Sequence, residues 1–521
     1  MHEIEPLLLA LMVAVAGLSV LARVVRVPYP ILLVLGGLVL GFLPGMPAVE
    51  LPPELVLVAF LPPLLYWAGF FASPRDLRAD ARAISMSAVG LVLATTAAVA
   101  VTAHSMVEGM TWPAAFALGA IVSPTDPLAA SAIGRRLGVP RRLLTLLEGE
   151  SLVNDATALV AYRIAVAAAV GGSFVAWQAG LRFVVGTAGG VAVGLLVGWL
   201  VAELRRRLDE PVVEIVVSVF TGYAAYLPAE LLGVSGVLAA VTAGLYVGWR
   251  APELASAATR LLGFSFWEVL VYLANAVLFI LVGLQLRPIL EELDGTAMAV
   301  LVGQGALVSA VVVAVRLGWG FSIPYLVRLV DRRPSQVMRR VGARERLMIG
   351  WSGMRGAVSL AAALALPLDF PMRNLILFLT FSVIFATLVV QGLTLPTLIR
   401  RLNFEQDDAE EREEIRARLA ATHAALDRLD ELAGADWTRD DTVERLHGLY
   451  EFRRRRLKAR GGYLEDDGSE DRSQAYQRLL RELLQAQRQA IVRLRNQGQI
   501  SNDVMHRIER ELDLEDTRLE I

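Results

Sequence analysis

The chain has 521 residues, of which 55% are hydrophobic, carries a formal net charge of −2 and contains no cysteine. The missing cysteine excludes disulfides, thiolate metal sites and cysteine nucleophiles, and the five histidines lie in no metal-ligand spacing. Charge is unevenly distributed, because 50 of the last 121 residues are charged, against 52 of the first 400. The sequence therefore predicts a membrane domain at 1–400 and a soluble tail at 401–521.

Apolar windows of about 19 residues predict an all-α polytopic membrane protein with about thirteen spans before Arg400. The predicted spans lie near 6–22, 28–43, 55–72, 84–104, 112–133, 146–170, 180–202, 212–229, 232–249, 265–286, 297–327, 347–366 and 373–398. The evidence for a turn is weakest in the stretch 212–249, where only Leu227, Pro228 and Glu230 interrupt the apolar pattern.

Arginines on alternate loops indicate the orientation of these spans, because cytoplasmic loops collect Lys and Arg. The loops after odd-numbered spans hold most of the loop arginines, including Arg26 and a basic run near 332–346, whereas the intervening loops hold only Arg287 and Arg373. This pattern predicts an N-terminus outside and a cytoplasmic tail. The acidic start lacks the basic region of a cleavable signal peptide, so we expect the first span to be retained.

The fifth span contains two prolines that should interrupt its helix. Pro124 and Pro127 stand on either side of Thr125 and Asp126, and each proline lacks an N–H and clashes with the preceding turn. Broken helices are tolerated within a membrane where their free backbone groups line a cavity or bind a ligand. We therefore expect a helix break here, with Asp126 at a functional position.

The sixth span is unusually rich in polar groups for a membrane helix. It carries Glu148, Glu150, Ser151, Asn154 and Asp155, although each mid-membrane charge costs on the order of 2.5 to 3.5 kcal/mol on insertion scales. On a helix, Ser151 and Asp155 share one face, while Glu150 and Asn154 share the neighbouring face. One carboxylate could therefore bind a cation while the other finds a fixed partner.

The twelfth span repeats the features of an interrupted helix, with glycines in place of prolines. Gly350, Gly353 and Gly356 surround Arg355, whose charge must be paired at this depth. Its candidate partners are Glu150, Asp126 and free carbonyls of the fifth span.

The tenth span carries Asn275, for which we expect an interhelical hydrogen bond rather than ion contact.

The two interrupted spans are seven apart in span order, so they should run in opposite directions. Paired broken helices of opposite orientation are typical of inverted-repeat secondary transporters, whose ion site lies at the midplane. Asp126 and Arg355 could neutralise the partial charges of the broken helix ends there.

The motifs SPTDP (123–127), GESLVND (149–155) and GMRG (353–356) together resemble those of the cation:proton antiporter family 1, the NhaP-type and NHE-type sodium/proton exchangers. The resemblance covers residues 1–400. It implies electroneutral exchange of a monovalent cation for H⁺ by a homodimer in the cell membrane, with elevator-type alternating access. Sodium is the expected cation, with potassium or lithium as alternatives, and we expect no cofactor, enzymatic activity or nucleic-acid partner.

The resemblance also implies roles for individual residues, carried over by position in the motifs. Asp155 matches the acid that binds either cation or proton, and Asn154 matches the Asn of the Asn–Asp pair associated with electroneutral exchange. Ser151, Thr125 and Asp126 match positions around the ion, and Glu150 and Arg355 match a structural ion pair. The chain departs from the pattern at Trp67, where many members carry an acidic residue in the third span.

Two other functions fit parts of the same pattern. Asp126 and Asp155 could form the carboxylate pair of an intramembrane aspartyl protease, although neither lies in the expected GxGD or YD context. Proline-broken helices also line channels.

In the tail, the sequence pattern predicts helices at 411–432 and 473–512. The Gly-, Asp- and Ser-rich stretch 461–472 predicts a linker.

Overall fold

A computed structural model describes residues 4–25, 27–43, 53–171, 176–291, 293, 297–330, 341–404, 409–464 and 468–519. Every regular element within these residues is a helix, as the fold-class prediction requires. The chain divides into two compact units, Met1–Gln406 and Asp407–Ile521. Arg26 and the segment 331–340, on which the predicted orientation partly depends, lie outside the described residues.

The first unit consists of helices and two π-helical turns within longer helices. The helices are α1 (Ile4–Val25), α2 (Tyr29–Gly41), α3 (Pro53–Phe71), α4 (Pro74–Ala79), α5 (Ala81–Ser85), α6 (Val92–Met106), α7 (Trp112–Val122), α8 (Leu128–Arg136), α9 (Arg141–Gly171), α10 (Ala176–Arg205), α11 (Pro211–Leu231), α12 (Gly236–Leu254), α13 (Ala257–Leu284), α14 (Leu286–Glu291), α15 (Met298–Val330), α16 (Ala343–Trp351), α17 (Ala357–Leu364), α18 (Arg373–Phe385) and α19 (Gly392–Leu402). The π turns are Met86–Leu91, between α5 and α6, and Ala386–Gln391, between α18 and α19.

Each predicted span corresponds to one helical segment in the described residues, if an interrupted helix is counted once. Seven of these segments are long and apolar enough to cross a membrane, and four shorter apolar helices accompany them. The uncertain stretch 212–249 is two helices, α11 and α12, separated by a turn at 232–235. Gly233 in this turn adopts a φ of +72°, a conformation that glycine reaches without a steric penalty.

Several helices of this unit approach each other so closely that only glycine fits between their backbones. A Cβ on Gly37 of α2 would lie 2.1 Å from the Ile280 carbonyl oxygen of α13, and one on Gly244 of α12 would lie 2.1 Å from the Tyr66 carbonyl oxygen of α3. Lipid tails are as apolar as the helix surfaces, so the hydrophobic effect does not drive helices together within a membrane. Small residues instead let the helices approach closely and associate through van der Waals contact. They position α2 against α13 and α3 against α12.

A buried ion pair joins the ends of α10, α11 and α13. Arg205 donates from Nη2 to Glu214 Oε2 at 3.0 Å, and Thr259 Oγ1 donates to Glu214 Oε1 at 2.9 Å. Arg205 and Glu214 are only 5% and 2% exposed. Each oxygen of the carboxylate thus has a partner, as a buried charge requires, and the three helix ends are held together.

The second unit contains α20 (Ala409–Leu432), α21 (Asp440–Arg460), α22 (Ser469–Asn496) and α23 (Asn502–Leu519). The single helix predicted at 473–512 is wrong, because a turn around Gly498, with φ +71°, divides it. Leu484, Ile491, Met505 and Leu512 form an apolar contact between α22 and α23. Arg488 also donates to Asp513 and Asp516.

Candidate functional site

Two interrupted helices meet at the centre of the first unit. The fifth predicted span breaks between α7 and α8, at 123–127, and the twelfth breaks between α16 and α17, at 352–356. Pro124 and Pro127 lie in the first break, and Gly353 and Gly356 lie in the second. The two breaks touch directly, because the Asp126 N–H donates to the Met354 carbonyl at 2.8 Å.

The side chain of Asp126 lies at the N-termini of both α8 and α17. Its Oδ1 accepts a hydrogen bond from the Leu128 N–H at 2.9 Å. Its Oδ2 lies 2.0 Å from where a Cβ on Gly356, the residue that precedes α17, would stand. Helix N-termini carry partial positive charge, so one carboxylate faces two positive helix ends, as the sequence predicts for the broken helices.

This close contact predicts that Gly356→Ala destabilises the fold. The added methyl would overlap Asp126 and force the two breaks apart, and overpacking of this kind costs about 1–3 kcal/mol. We expect a lower melting temperature for the detergent-solubilised variant. Gly318→Ala on α15 is the matched control, since nothing lies within 4 Å of its Cβ position. Equal melting temperatures for the two variants would contradict the contact.

The side chain of Arg355 lies at the opposite ends of the broken helices, where carbonyls are free. Its Nε donates to the carbonyl of Val122, the last residue of α7, at 3.1 Å, and its Nη1 donates to the Gly353 carbonyl just beyond α16. Its backbone N–H donates to Thr387 Oγ1 at 3.0 Å. The guanidinium, only 1% exposed, therefore faces the negative ends of α7 and α16.

The structure corrects the predicted pairing of Glu150 with Arg355. Arg316 of α15 donates from Nη1 to Glu150 Oε1 at 2.5 Å, and from Nε to the Ile349 carbonyl of α16 at 3.3 Å. Arg316 and Glu150 are almost fully buried, at 3% and 6% side-chain exposure. Arg355 instead bonds to carbonyls, because the break in α7 presents them at its guanidinium.

Sequence reasoning missed Arg316, although a signal for it was present. Arg316 is the only charged residue in the apolar stretch 298–327 of α15, and the rule that such a charge must be paired applies to it as it does to Arg355. A Cβ on Gly353 would lie 2.2 Å from Arg316 Cδ. The glycine therefore makes room for the arginine that reaches Glu150.

A chain of hydrogen bonds runs from Glu150 to Asn154 through the broken helix. Thr125 Oγ1 donates to Glu150 Oε1 at 3.2 Å, and Asn154 Nδ2 donates to Thr125 Oγ1 at 2.9 Å. Asn154 is 1% exposed, and within the described residues its Oδ1 has no hydrogen-bond partner. The chain thus ends in a buried oxygen that is able to accept.

Asp155 follows Asn154 on α9 and is 7% exposed. Among the described residues, no hydrogen bond or ion pair reaches its carboxylate. Ser151, one turn earlier on the same face, is half-buried. A buried carboxylate without a partner is strongly unfavourable, so Asp155 needs either a proton or a cation.

Two further predicted positions lie outside this arrangement of bonds. Asn275 is buried on α13, and its Nδ2 donates to the Val271 carbonyl of the same helix at 2.9 Å, not to another helix as predicted. Trp67 stacks on Trp267 of α13, with ring centroids 5.0 Å apart and planes 11° apart. An aromatic contact between α3 and α13 therefore occupies the position of the expected acidic residue. Within the described residues, no cluster of three or more His, Cys, Asp or Glu could hold a metal ion.

Comparison with known proteins places this arrangement in context. Residues 8–401 match the family model described as sodium/hydrogen exchanger, transmembrane. A protein of Mycobacterium tuberculosis described as an uncharacterized Na⁺/H⁺ exchanger is 39% identical over 98% of this chain and 95% of its own length. The Na⁺/H⁺ antiporter ApNhaP of Aphanothece halophytica is 32% identical over 82% of this chain and 80% of its own length.

Two more matches bear on the cation and on the fold. A Bacillus pumilus protein described as a sodium, potassium, lithium and rubidium/H⁺ antiporter is 32% identical over 76% of this chain and 61% of its own length. The solved structure of the sodium proton antiporter MjNhaP1 from Methanocaldococcus jannaschii is similar with a TM-score of 0.59 and 20% identity, over 77% of this chain and all of that chain. At that identity the likeness shows the fold.

Proposed function

Because the chain belongs to the sodium/hydrogen exchanger family, a family of multi-pass membrane transporters that exchange monovalent cations for protons, we propose that Asp155 is its exchanging group. Membership makes the chain a transporter rather than an enzyme, which removes the protease alternative. The observation that supports the proposal is the buried Asp155 carboxylate, which has no hydrogen-bond or ion-pair partner among the described residues, next to Asn154, whose Oδ1 is also unpaired among them.

The mechanism we propose is competition at one carboxylate. A proton or a cation relieves the cost of burying the Asp155 charge, whereas holding both at once is electrostatically redundant. The other buried acids of the site are already engaged, since Glu150 pairs with Arg316 and Asp126 lies at two helix N-termini. Asp155 is therefore the acid best placed to alternate between the two ions.

The oxygens that would surround a cation come from both α9 and the broken helix. The Asp155 carboxylate, Asn154 Oδ1 and the Ser151 hydroxyl lie within two turns of α9, and Thr125 contacts Asn154 from the break. Oxygen donors of this kind suit hard cations. We propose Na⁺ as the cation, and we keep K⁺ as the alternative because the B. pumilus relative is described with several alkali cations.

We further propose that exchange follows an elevator motion in a homodimer. Glycine contacts bind α3 to α12 and, separately, α2 to α13, and we assign these four helices to the scaffold. In contrast, α9 meets α3, α11 and α12 through an apolar surface that includes Leu152 and Ala156 on α9 and Leu61 and Val241 on the facing helices. Because apolar contacts are not directional, this surface favours sliding of α9, together with the broken helices, along the scaffold.

Reconstituted protein tests the proposed function directly. We expect Na⁺ addition to proteoliposomes with an acidic interior to release protons, with K⁺ and Li⁺ compared over a pH series. A coupled exchanger should show no single-channel current, so unitary currents would favour a channel instead.

We propose residence in the plasma membrane with the N-terminus outside, and a regulatory cytoplasmic tail. Truncation after Arg401 should then change the pH response without abolishing exchange.

Asn154→Asp tests whether exchange is electroneutral. A single exchanging carboxylate trades one proton for one monovalent cation, so no net charge moves. A second carboxylate beside Asp155 could carry another proton, and we expect exchange in this variant to respond to membrane potential. The measurement is flux at potentials set by K⁺ and valinomycin in Na⁺-loaded vesicles, with the unchanged protein as control. Identical insensitivity in both proteins would count against this explanation.

A further inference from the structure

An ion pair joins the helix that bears Asp155 to the C-terminal end of α11, at the turn to α12. Arg163 on α9 donates from Nη2 to Glu230 Oε2 at 2.5 Å, and Glu230 lies next to the last residue of α11. The side chains are 47% and 27% exposed. The pair is thus partly exposed, unlike the buried pair of Arg316 and Glu150.

Glu230 is held in place by the turn itself. Its second oxygen, Oε1, accepts a hydrogen bond from the N–H of Gly236, the first residue of α12, at 3.1 Å. A Cβ on Gly236 would lie 2.8 Å from the same oxygen. The turn therefore presents the carboxylate to α9 in a fixed position.

Arg163 moves with Asp155 because both lie on the continuous helix α9. The separation of eight positions between them corresponds to about 12 Å along the helix axis. Next to Asp155, α9 meets α3, α11 and α12 through the apolar contact that contains Leu152 and Ala156 of α9 and Tyr226 of α11. The ion pair adds a specific, charged contact to a surface that is otherwise apolar.

We propose that the pair of Arg163 and Glu230 is a latch that holds α9 against the α11–α12 turn and must break in each transport cycle. This inference rests on the proposed movement of α9. Since the turn belongs to the scaffold, displacement of α9 along it separates the two charges. Breaking the pair then contributes to the barrier between the two orientations of the site and limits turnover.

Neutral variants test the energetic role of the latch. Glu230→Gln removes the charge and retains an Oε1 acceptor for Gly236, and Arg163→Gln removes the other charge. We expect each variant to raise the maximal rate of Na⁺-dependent proton movement by roughly two- to fivefold, the size expected for a partly exposed pair. The KM for Na⁺ should stay unchanged, because neither residue contacts the cation.

The double variant separates a latch from independent surface effects. Arg163→Gln with Glu230→Gln should be no faster than either single variant, since either change alone removes the pair. Unchanged or reduced rates, additive effects, or a shift in KM would each overturn the proposal. Absence of exchange in the unchanged protein would instead count against the proposed function.

Cross-linking tests the movement itself, and the chain contains no cysteine to interfere. In Arg163→Cys with Glu230→Cys, a bifunctional methanethiosulfonate reagent should stop exchange, and reductant should restore it. The single cysteine variants treated with the same reagent are the controls. Full exchange by demonstrably cross-linked protein would overturn the latch, while exchange before cross-linking shows that the antiporter itself is active.

Discussion

Asp155→Asn should abolish cation-dependent proton movement in proteoliposomes. The amide has nearly the same shape as the carboxylate, but it neither carries the exchanged proton nor offers a negative charge to the cation. Because Asp155 has no hydrogen bond or ion pair among the described residues, its neutralisation breaks none of the contacts that hold the broken helices together. We therefore expect a folded protein with its exchange reduced to the background of empty vesicles.

Glu148→Gln is the matched control for this prediction. Glu148 lies on the same helix two turns earlier, but it is partly exposed and pairs with Arg135. Its substitution should leave exchange close to that of the unchanged protein, since exposed pairs contribute only about 0–1 kcal/mol. Melting temperature and size-exclusion profile verify the fold of both variants. Exchange by folded Asp155→Asn would remove Asp155 from the exchanging role.

Arg316→Gln should have the largest effect on stability. It leaves the Glu150 carboxylate buried without the guanidinium that pairs with it. Removing one partner of a buried ion pair typically costs about 3–5 kcal/mol. The variant also loses the Nε bond to the Ile349 carbonyl of α16. We expect poor yield and a strongly lowered melting temperature, measured on detergent-solubilised protein.

A second substitution tests whether Arg316→Gln lowers stability through the unpaired charge of Glu150 or through lost packing of Arg316. Glu150→Gln in the Arg316→Gln background removes the stranded charge, so much of the lost stability should return. Arg287→Gln controls for loss of an arginine as such, since Arg287 is 37% exposed and pairs with Glu291 within one turn. If the double variant is no more stable than Arg316→Gln alone, then the pair is not what Arg316 stabilises.

The positions of the helices and of their breaks followed from local sequence features. A membrane span requires a continuous apolar window, and proline at 124 and 127 interrupts the helix through its own ring and missing N–H. The turn between α11 and α12 was harder to predict, because Pro228 lies inside α11 and the chain turns only at 232–235. The predicted arrangement of Asp126 and Arg355 at the broken ends agrees with the contacts in the structure.

Partners across the fold did not follow from the sequence. Helical periodicity shows that Glu150 and Asn154 share a face, but it does not show which residue approaches that face from α15. Arg316 lies 166 positions from Glu150. Either Arg316 or Arg355 could have been the buried arginine that pairs with Glu150, and the sequence did not distinguish between them. The prediction of one continuous tail helix at 473–512 was wrong for a local reason. The single glycine at 498 was weaker evidence for a turn than the helical pattern around it was for a helix.

The hydrogen-bond chain that ends at Asn154 has a consequence for how the transporter recognises its ion. If the amide rotated by 180°, its oxygen would face Thr125 Oγ1, whose proton is already committed to Glu150. Arg316 in turn donates to the same oxygen, Glu150 Oε1, and so holds this acceptor in place for Thr125. The orientation of the Asn154 amide beside the proposed ion site is thus fixed by a guanidinium on another helix, so we expect substitutions at residues that do not contact the ion to alter ion preference.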